Sequence, residues 1–317
     1  MFGHYLAIAL RNVRRSPVAF AVNAVTLSLG LVCFVTAYAF VAFWDRADRH
    51  FAGIDNTYLL TMRSVYRDSP FKFTPEFGPR VPEEAAAYLR EDFPGIDLAR
   101  AIIIDRKAMI ASDTQSARLF GLAVDPEFLE LFPLSFAAGS SATALTSPGS
   151  VVLTRATASR LFGDASPLGK HVILANAVEA SVTGVIDPVT EPSHLGHTTN
   201  ATLPFDFLAT IDVRDAVRVA STDPRTLQYI LGRWNSSDAY IYLRLGDGGL
   251  SARSLGAQLA DFAARHVPAE DLKRTTYDFG LMRVDALLDQ RNFQRTGLSF
   301  GTVLFTLASL VLGVACL

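Results

Sequence analysis

The stretch SVVLTRATASRLFGDASPLGKHVILANAVEASVTGVI, residues 150–186, decides the fold. Its first segment, 151–153, is short and apolar, which predicts a buried strand. The side-chain oxygen of Thr154 can cap a helix, and a short helical segment follows as far as Phe162. Gly163 comes next, and glycine favours a helix end because it tolerates a left-handed backbone. The order of signals predicts a strand, a capped helix and a stop.

The second half of this stretch predicts a hairpin, with strands at 171–174 and 180–186 and a turn near Asn176. The run GDASPLGKH, 163–171, superficially resembles a phosphate loop. Five residues instead of four separate its glycines, His171 replaces the magnesium-binding Ser or Thr, and the run follows a helix instead of a strand. We therefore predict a structural turn, shaped by Gly163, Pro167, Gly169 and Lys170.

Two further groups of elements lie on either side of this stretch. Each group predicts a β-α-β order: strand 56–66, helix 82–92 and strand 98–110, and later strand 238–245, helix 250–267 and strand 277–284. These are the elements of a split βαβ, ferredoxin-like sheet. We therefore predict a mixed α/β (α+β) domain whose membrane-proximal halves, 55–110 and 238–290, enclose an inserted mixed subdomain at 111–237.

Both ends of the chain carry long apolar runs. Residues 18–43 contain no charge and are far longer than the 7–15 apolar residues of a signal peptide, so we predict a retained transmembrane helix at 17–44. Residues 298–317 are also uncharged, which predicts a second transmembrane helix at 297–317. The intervening segment, 45–296, is then a single exported domain.

Charge gives the orientation. Arg11, Arg14 and Arg15 precede the first apolar run, and arginines on short flanks stay cytoplasmic, so the N-terminus is predicted inside and 45–296 outside the cytoplasmic membrane. All 31 acidic residues and 26 of the 29 basic ones follow Phe43, which gives the exported domain a net charge of −5. This balance argues against nucleic-acid binding. Both cysteines lie in the apolar runs, which excludes a stapling disulfide in the exported domain.

The N-terminal segment 1–16 predicts an amphipathic helix at the cytoplasmic surface of the lipid. Phe2, Tyr5, Leu6, Ala9 and Val13 share its apolar face. One interpretation is ordinary positively charged flanking sequence with no partner. The other is a docking surface for a cytoplasmic protein, formed by Arg11, Asn12, Arg14 and Arg15.

The segment EPSHLGHTTNAT, 191–202, is polar and predicts a solvated, mobile loop. His194 and His197, with Asp187 nearby, leave a zinc site as an alternative, but the segment lacks a fixed third ligand. The chain contains no H-E-x-x-H or G-x-S-x-G motif, and the exported domain has no cysteine to serve as a nucleophile. We therefore predict no catalytic site, no metal and no cofactor.

Several segments together resemble the permease subunits of the MacB/FtsX/LolC-type ABC transporters. They are LAIALRNVRRSPVAFAVNAVTLSLGL, DRHFAGIDNTYLLTMRS, VVLTRATASRLFGDASPLGKHV with the following VTGVIDPV, and GTVLFTLASLVLGVACL. The second and third are similar to the family's periplasmic core domain, and the others to its first two spans. The family has four spans, so the resemblance implies that this sequence ends after the second.

The resemblance implies a non-catalytic subunit of the bacterial inner membrane that transmits ATPase-driven motion to the periplasm. The sequence has no Walker A motif, so the ATPase would be a separate cytoplasmic chain. Further implied partners are a second permease copy or homologue, a periplasmic adaptor and membrane lipid. Two other hypotheses remain: a two-span envelope scaffold or sensor without a transport role, and a membrane-tethered hydrolase, for which no convincing site is present.

Overall fold

The computed structural model describes residues 11, 14–44, 46–67, 77–198, 201–230, 234, 237–246, 250–287, 306, 309, 310 and 313. The chain divides into two compact units, one containing residues 1–46 and 289–317 and the other residues 47–288. Each unit is described by itself below.

The first unit contains the helix α1, Pro17–Trp44, whose 28 residues extend about 42 Å. It begins where the sequence predicts, because the carbonyl of Ser16 accepts a hydrogen bond from the amide of Phe20. Within the described residues, α1 is the one helix long and apolar enough to cross a membrane, over Phe20–Ala39. The predicted second transmembrane helix at 297–317 lies outside the described residues except for four helical positions, and most of segment 1–16 also lies outside them.

Within its described residues, the second unit is built on ten strands. They are β1 Thr57–Tyr66, β2 Asp97–Ala111, β3 Ser116–Val124, β4 Phe136–Ala138, β5 Ser150–Thr154, β6 His171–Leu174, β7 Val178–Ile186, β8 Phe207–Thr210, β9 Ala239–Arg244 and β10 Thr275–Arg283. The helices that accompany them are α2 Ala85–Asp92, α3 Phe128–Leu131, α4 Arg155–Phe162, α5 Ile211–Ser221, α6 Pro224–Ile230, α7 Ala252–Gln258, α8 Phe262–His266 and α9 Ala269–Arg274. Short 3₁₀ turns occur at Ile54–Asn56, Leu259–Asp261 and Val284–Ala286.

All ten strands of the described residues belong to one sheet: nine follow the order β10-β1-β9-β2-β3-β8-β5-β7-β4, and β6 lies off this path, paired with β2 and β7. The first four strands in this order are antiparallel to their neighbours. Helix α2 connects β1 to β2, and helices α7 to α9 lie between β9 and β10. Each of these connections therefore passes through helix, as the two β-α-β patterns predict.

Strands β3, β5, β6, β7 and β8 form a closed circuit with β2, because β6 pairs with both β7 and β2. The circuit runs β2-β3-β8-β5-β7-β6 and returns to β2, with parallel pairs at β3–β8 and β5–β7. Strand β2 is shared: residues 97–102 pair with β9, and Ile110 and Ala111 pair with β6. Irregular register between Ile103 and Ala108 separates these two parts of the strand.

Three apolar clusters hold the unit together. One lies between the antiparallel strands and their helices and includes Leu60, Ile241 and Phe262. A second is formed mainly by the closed circuit, with Leu153 among its members. The third contains Tyr242. Residues 239–243 of β9 are all buried, as expected of an apolar strand covered on both faces.

The structure confirms the local predictions for residues 150–186. The hydroxyl of Thr154 accepts a hydrogen bond from the amide of Thr157 at the start of α4, and Gly163 ends that helix with φ +61°. Strands β6 and β7 form the predicted hairpin. Its turn residues Ala175 and Asn176 both have positive φ, which is the backbone of a tight type I′ turn.

The predicted single helix at 250–267 is wrong in its continuity. A 3₁₀ turn, Leu259–Asp261, separates α7 from α8. Apolar side chains of this segment at helical spacing are nevertheless buried, at Leu255, Leu259, Phe262 and Ala263. Burial of these side chains does not require one unbroken helix. The apolar spacing therefore predicts which side chains are buried but not whether the helix is continuous.

Candidate functional site: a buried anchor beside a surface cleft

One feature of the second unit is a buried carboxylate near its N-terminal end in sequence. Asp48 follows Trp44, the last residue of α1, by four positions and is fully buried in the second unit. Its φ of +62° is in the left-handed region, which Asp and Asn adopt more readily than most residues. Its amide donates to the carbonyl of Pro192, so both the backbone and the side chain of Asp48 are directed at the segment 192–203.

The carboxylate of Asp48 collects donors from that segment. The hydroxyl of Ser193 donates to Oδ1, and the amide of His194 lies 3.1 Å from Oδ1 and 3.3 Å from Oδ2. The Nδ1 atom of His194 lies 2.9 Å from Oδ2, without hydrogen-bond alignment. These contacts fix residues 193 and 194 to the start of the domain, 146 positions away in sequence. We call Asp48, Ser193, His194 and Tyr242 the buried anchor.

Tyr242 completes the anchor from β9. Its hydroxyl lies 2.9 Å from Nε2 of His194, and both side chains are fully buried. Burial raises the pKa of Tyr242 well above its ordinary value, so the hydroxyl stays protonated. A protonated Tyr242 hydroxyl can donate this hydrogen bond to Nε2 of His194. The ring of Phe132 packs edge-on against both aromatic partners.

The charge state of Asp48 follows from these contacts. Burial by itself would raise the pKa of Asp48, but attraction to His194 and the hydrogen bonds from Ser193 and His194 outweigh it. The net effect holds the pKa of Asp48 below its ordinary value, so the carboxylate is ionised at neutral pH. An Asp-His pair can serve in catalysis, but these groups have no access to solvent. The arrangement is suited to fixing a segment in place.

The prediction that 191–202 is a solvated loop is wrong for its central residues. Ser193, His194 and Leu195 are fully or almost fully buried. The amides of Thr202 and Leu203 both donate to the carbonyl of His194. The sequence prediction failed because the apolar environment and the partner carboxylate come from distant parts of the chain.

The two histidines of this segment have separate partners. His194 faces Asp48 and Tyr242, whereas Nε2 of His197 lies 2.8 Å from the carboxylate of Asp206. Across the described parts of the chain, no group of three or more His, Cys, Asp or Glu side chains is arranged to hold a metal ion. The histidine spacing that left a zinc site open therefore corresponds to two separate contacts between a histidine and a carboxylate.

A surface cleft of 440 Å³ adjoins the anchored segment. Its lining comes from residues within 154–159, 187–189 and 196–206. The first of these follows β5 and the second follows β7, and these two strands are parallel neighbours. The cleft therefore lies at the carboxyl ends of two parallel strands, where open α/β sheets commonly hold ligands.

The cleft combines apolar walls with paired charges. Its apolar surface includes Ala156, Pro188, Val189 and Phe205. The guanidinium of Arg155 donates twice to one oxygen of Asp187. Asp206 also lines the cleft, where its Oδ1 lies 2.8 Å from Nε2 of His197 and its Oδ2 accepts a hydrogen bond of 2.8 Å from the amide of Phe120. The charged groups Arg155, Asp187 and Asp206 thus each already have a polar partner within the protein.

The turn residues predicted from sequence lie between α4 and β6, outside this cleft. The amide of Lys170 donates to the carbonyl of Pro167 at 3.1 Å, and Gly169 has φ +74°. The amide of Gly169 also donates to the carbonyl of Val182 at 2.8 Å, and the Lys170 ammonium lies 5.0 Å from the ring centroid of Phe162. These contacts tie the turn to β7 and α4, while its role in function stays a prediction.

The predicted cytoplasmic surface is described only in part. Arg11, Arg14 and Arg15 are helical and exposed, and Asn12 lies outside the described residues. The predicted ATPase-facing role of these four residues stays a prediction.

Sequence reasoning missed most of the site. Asp48, Tyr242, Arg155 and Asp206 were not singled out, and no motif marks them. The one usable signal was Leu195 within the polar run, since an isolated leucine there is consistent with local burial.

A protein family and several solved structures are similar to this chain. The family model described as MacB-like periplasmic core domain matches residues 20–258. No curated protein matches the chain. A domain from a candidate permease of Porphyromonas gingivalis has the same fold, with a TM-score of 0.56 and 19% identity over 74% of this chain and 91% of that one.

Two other solved structures are more distant. The periplasmic region of MacB from Actinobacillus actinomycetemcomitans gives a TM-score of 0.45 at 14% identity, covering 78% of this chain and 96% of its own. The extracellular domain of the ABC-type transporter YknZ from Gram-positive bacteria gives 0.40 at 14% identity, covering 70% of this chain and 99% of its own.

The family match covers most of the chain, which confirms the resemblance found in the sequence. It gives the protein a transporter-associated role, and together with α1 it indicates a membrane protein with a periplasmic α/β segment. The chain therefore belongs to the family described as MacB-like periplasmic core domain.

Proposed function

We propose that the protein is a non-catalytic permease subunit of an ABC transporter in the bacterial inner membrane. In this proposal the N-terminus is cytoplasmic, residues 45–296 are periplasmic, and 17–44 and 297–317 are transmembrane helices. A separate cytoplasmic ATPase supplies the work, and the subunit acts as a homo- or heterodimer. A periplasmic adaptor and membrane lipid are further partners. Motion of the spans reaches the periplasmic domain and drives export or extrusion.

The observation that carries this proposal is the buried anchor. Asp48 lies four residues beyond α1, and its carboxylate is held by Ser193 and His194 in the core of the periplasmic segment. Tyr242 connects the same histidine to β9. Because protein cores are close-packed and resist compression, displacement of residue 48 must move these partners or break their contacts. A connection of this kind is what mechanical transmission requires.

The arrangement of the first four strands also supports the proposal. Their order, β10-β1-β9-β2, with helical connections from β1 to β2 and from β9 to β10, supports our interpretation of these strands as a split βαβ, ferredoxin-like sheet. In this interpretation the halves 55–110 and 238–290 form the membrane-proximal body, and 111–237 is an insertion. The alternative two-span scaffold or sensor has no specific observation in its favour.

The decisive experiment begins with purification of the full protein from its native membranes in mild detergent, followed by identification of co-purifying chains by mass spectrometry. We expect an ABC ATPase whose hydrolysis depends on the permease chain. Charge reversal at Arg14 and Arg15 should weaken its recovery, whereas Arg253→Glu, an exposed change in the periplasmic segment, should not. If the folded native chain recovers no ATPase, the proposal is overturned.

The reconstituted complex then tests transmission. Hydrogen exchange of residues 192–203 is compared between the nucleotide-free and the vanadate-trapped states. We expect a nucleotide-dependent change in this segment, and its loss in Asp48→Asn with ATPase binding retained. Identical exchange in the two states of the native complex would contradict transmission through the anchor.

A further inference from the structure

The cleft described above has the location and size of a ligand site. Its 440 Å³ falls within the roughly 300–1,000 Å³ typical of small-molecule pockets. It lies where β5 and β7, two parallel neighbours, both end. These features are independent of any role of α1.

The charges of the cleft select against charged ligands. Arg155 is paired with Asp187, and His197 with Asp206. A charged ligand would have to displace one of these contacts and lose its own hydration against the apolar walls, which costs free energy. An uncharged ligand leaves both pairs intact.

The same geometry leaves a specific hydrogen-bonding capacity. Two nitrogens of Arg155, Nε and Nη2, donate to Asp187, and a guanidinium has five N–H donors in all. The remaining donors can reach a carbonyl oxygen at the rim. Pro188, Val189 and Phe205 offer apolar contact for the body of the same molecule.

The wall of the cleft is joined to the buried anchor. Gly196 and His197 line the cleft and follow His194 by two and three positions. The amide of Gly196 donates to the carbonyl of Leu203 at 3.0 Å, and that of Leu203 donates to the carbonyl of His194 at 2.8 Å. A side-chain Cβ at position 196 would lie 3.1 Å from Val189, so this wall is closely packed.

We propose that the cleft binds a small, uncharged, mainly apolar molecule bearing a carbonyl group, and that the buried anchor holds the cleft in its binding-competent shape. Binding and anchor integrity are then thermodynamically linked, and each stabilises the other. Under the proposed function, which this coupling extends, the ligand would report its presence to the segment that follows α1. The binding itself does not depend on that function.

The test uses the full chain in lipid nanodiscs and three probes with the same phenylalkyl body: 4-phenylbutan-2-one, 4-phenylbutyrate and 4-phenylbutylamine. Binding is measured by saturation-transfer NMR, with empty nanodiscs subtracted for partitioning into lipid. We expect the neutral ketone to give the strongest signal. A stronger signal from the charged acid or amine would overturn the ligand class.

Site-directed variants test the location. Ala156→Trp fills the cleft and should reduce the affinity for the ketone at least fivefold, whereas the matched control Ala177→Trp, exposed in the β6–β7 turn, should not. Ser159→Phe provides a second cleft-filling variant if the first fails to fold. Unchanged binding in a folded cleft-filling variant would overturn the site.

Asp48→Asn tests the coupling, since Asp48 does not line the cleft. We expect at least a fivefold loss of ketone affinity, and an unchanged affinity would overturn the link. No ATPase or nucleotide is present, so failure of ketone binding leaves the permease proposal standing. Failure to recover an ATPase likewise leaves the cleft as a ligand site.

Discussion

Replacing Asp48 by Asn tests the central physical claim with the smallest available change. Asn retains the size of the side chain and tolerates the left-handed backbone at φ +62°, so the backbone cost is small. The variant removes the charge that faces His194. It also replaces one acceptor oxygen by an NH₂ donor in a site where Ser193 and the His194 amide already donate. Two donors then face each other in a buried place.

The expected loss is large because the group is fully buried. Leaving a buried donor without its acceptor costs about 1–3 kcal/mol, and more when the lost acceptor carried a charge. Asn can still accept one hydrogen bond, so we expect a loss of about 3 kcal/mol. Local opening of residues 192–203 should therefore become about a hundredfold more frequent. The affected amides are those of Gly196 and Leu203, which donate within this segment.

Hydrogen exchange with mass spectrometry on the full chain in nanodiscs measures this opening. The control is Asp55→Asn, since Asp55 is 80% exposed and pairs with Arg283 at the surface. A surface pair is worth at most about 1 kcal/mol, so exchange in 192–203 should not change. If Asp48→Asn left protection of this segment at the native level, the anchor would not hold it, and the reasoning would be refuted.

The pH dependence has a definite sign. The pKa of Asp48 is lowered in the folded protein, so its stabilising contribution is present above the unfolded value of 3.8 and is lost as the pH falls through the folded value. The difference in exchange between the native chain and Asp48→Asn should therefore be constant from about pH 7 to pH 5. It should shrink only under more acidic conditions, below pH 3.8.

Two further substitutions test the packing and charges of the domain. Gly121→Ala should destabilise the domain by about 1–3 kcal/mol, because the new Cβ would clash with the ring of Phe207. The control Gly256→Ala, on α7 with no other atom near the new Cβ, should stabilise the domain by about 0.5–1 kcal/mol. Thermal unfolding of both would check this, and equal shifts would contradict it. Glu84→Gln should raise the melting temperature at pH 7, because burial and nearby acidic groups raise the pKa of Glu84 and Oε2 has no described partner. The gain should amount to about 1 kcal/mol and disappear as the pH falls below the raised pKa of Glu84, whereas Glu270→Gln, 83% exposed, should change little.

The sequence predicts what neighbouring residues determine by themselves. Thr154 caps α4 through the amide of Thr157, three positions away, and Gly163 ends the helix through its own backbone freedom. The hairpin of β6 and β7 depends on a turn at Ala175 and Asn176, also local. Capping, helix ends and tight turns involve few residues, so their signals are present in any short window.

The anchor and the closed circuit could not be predicted in this way. Asp48 and His194 are 146 positions apart, and each looks like an ordinary solvated residue in its own segment. Closure of the circuit depends on two pairs, Ile110 with Leu174 and Ala111 with Ile173. The apolar pattern of β2 marks it as a strand, but nothing in that pattern tells that its two ends pair with different neighbours. Burial of a polar residue is decided by partners, which only the fold supplies.

The position of Tyr242 explains why one anchor could affect distant parts of the domain. This residue pairs with Leu59 of β1 and with Ala99 of β2, so it lies in the middle of the antiparallel strands. His194, which contacts the hydroxyl of Tyr242, begins the short segment that reaches the wall of the cleft at Gly196 and His197. A displacement of Asp48 is therefore divided between a sheet paired on both sides of Tyr242 and a short segment held by its own hydrogen bonds and by burial of Leu195 and Leu203. Since the sheet has far more contacts to break, the segment should yield first, and the cleft should change shape before the antiparallel strands do.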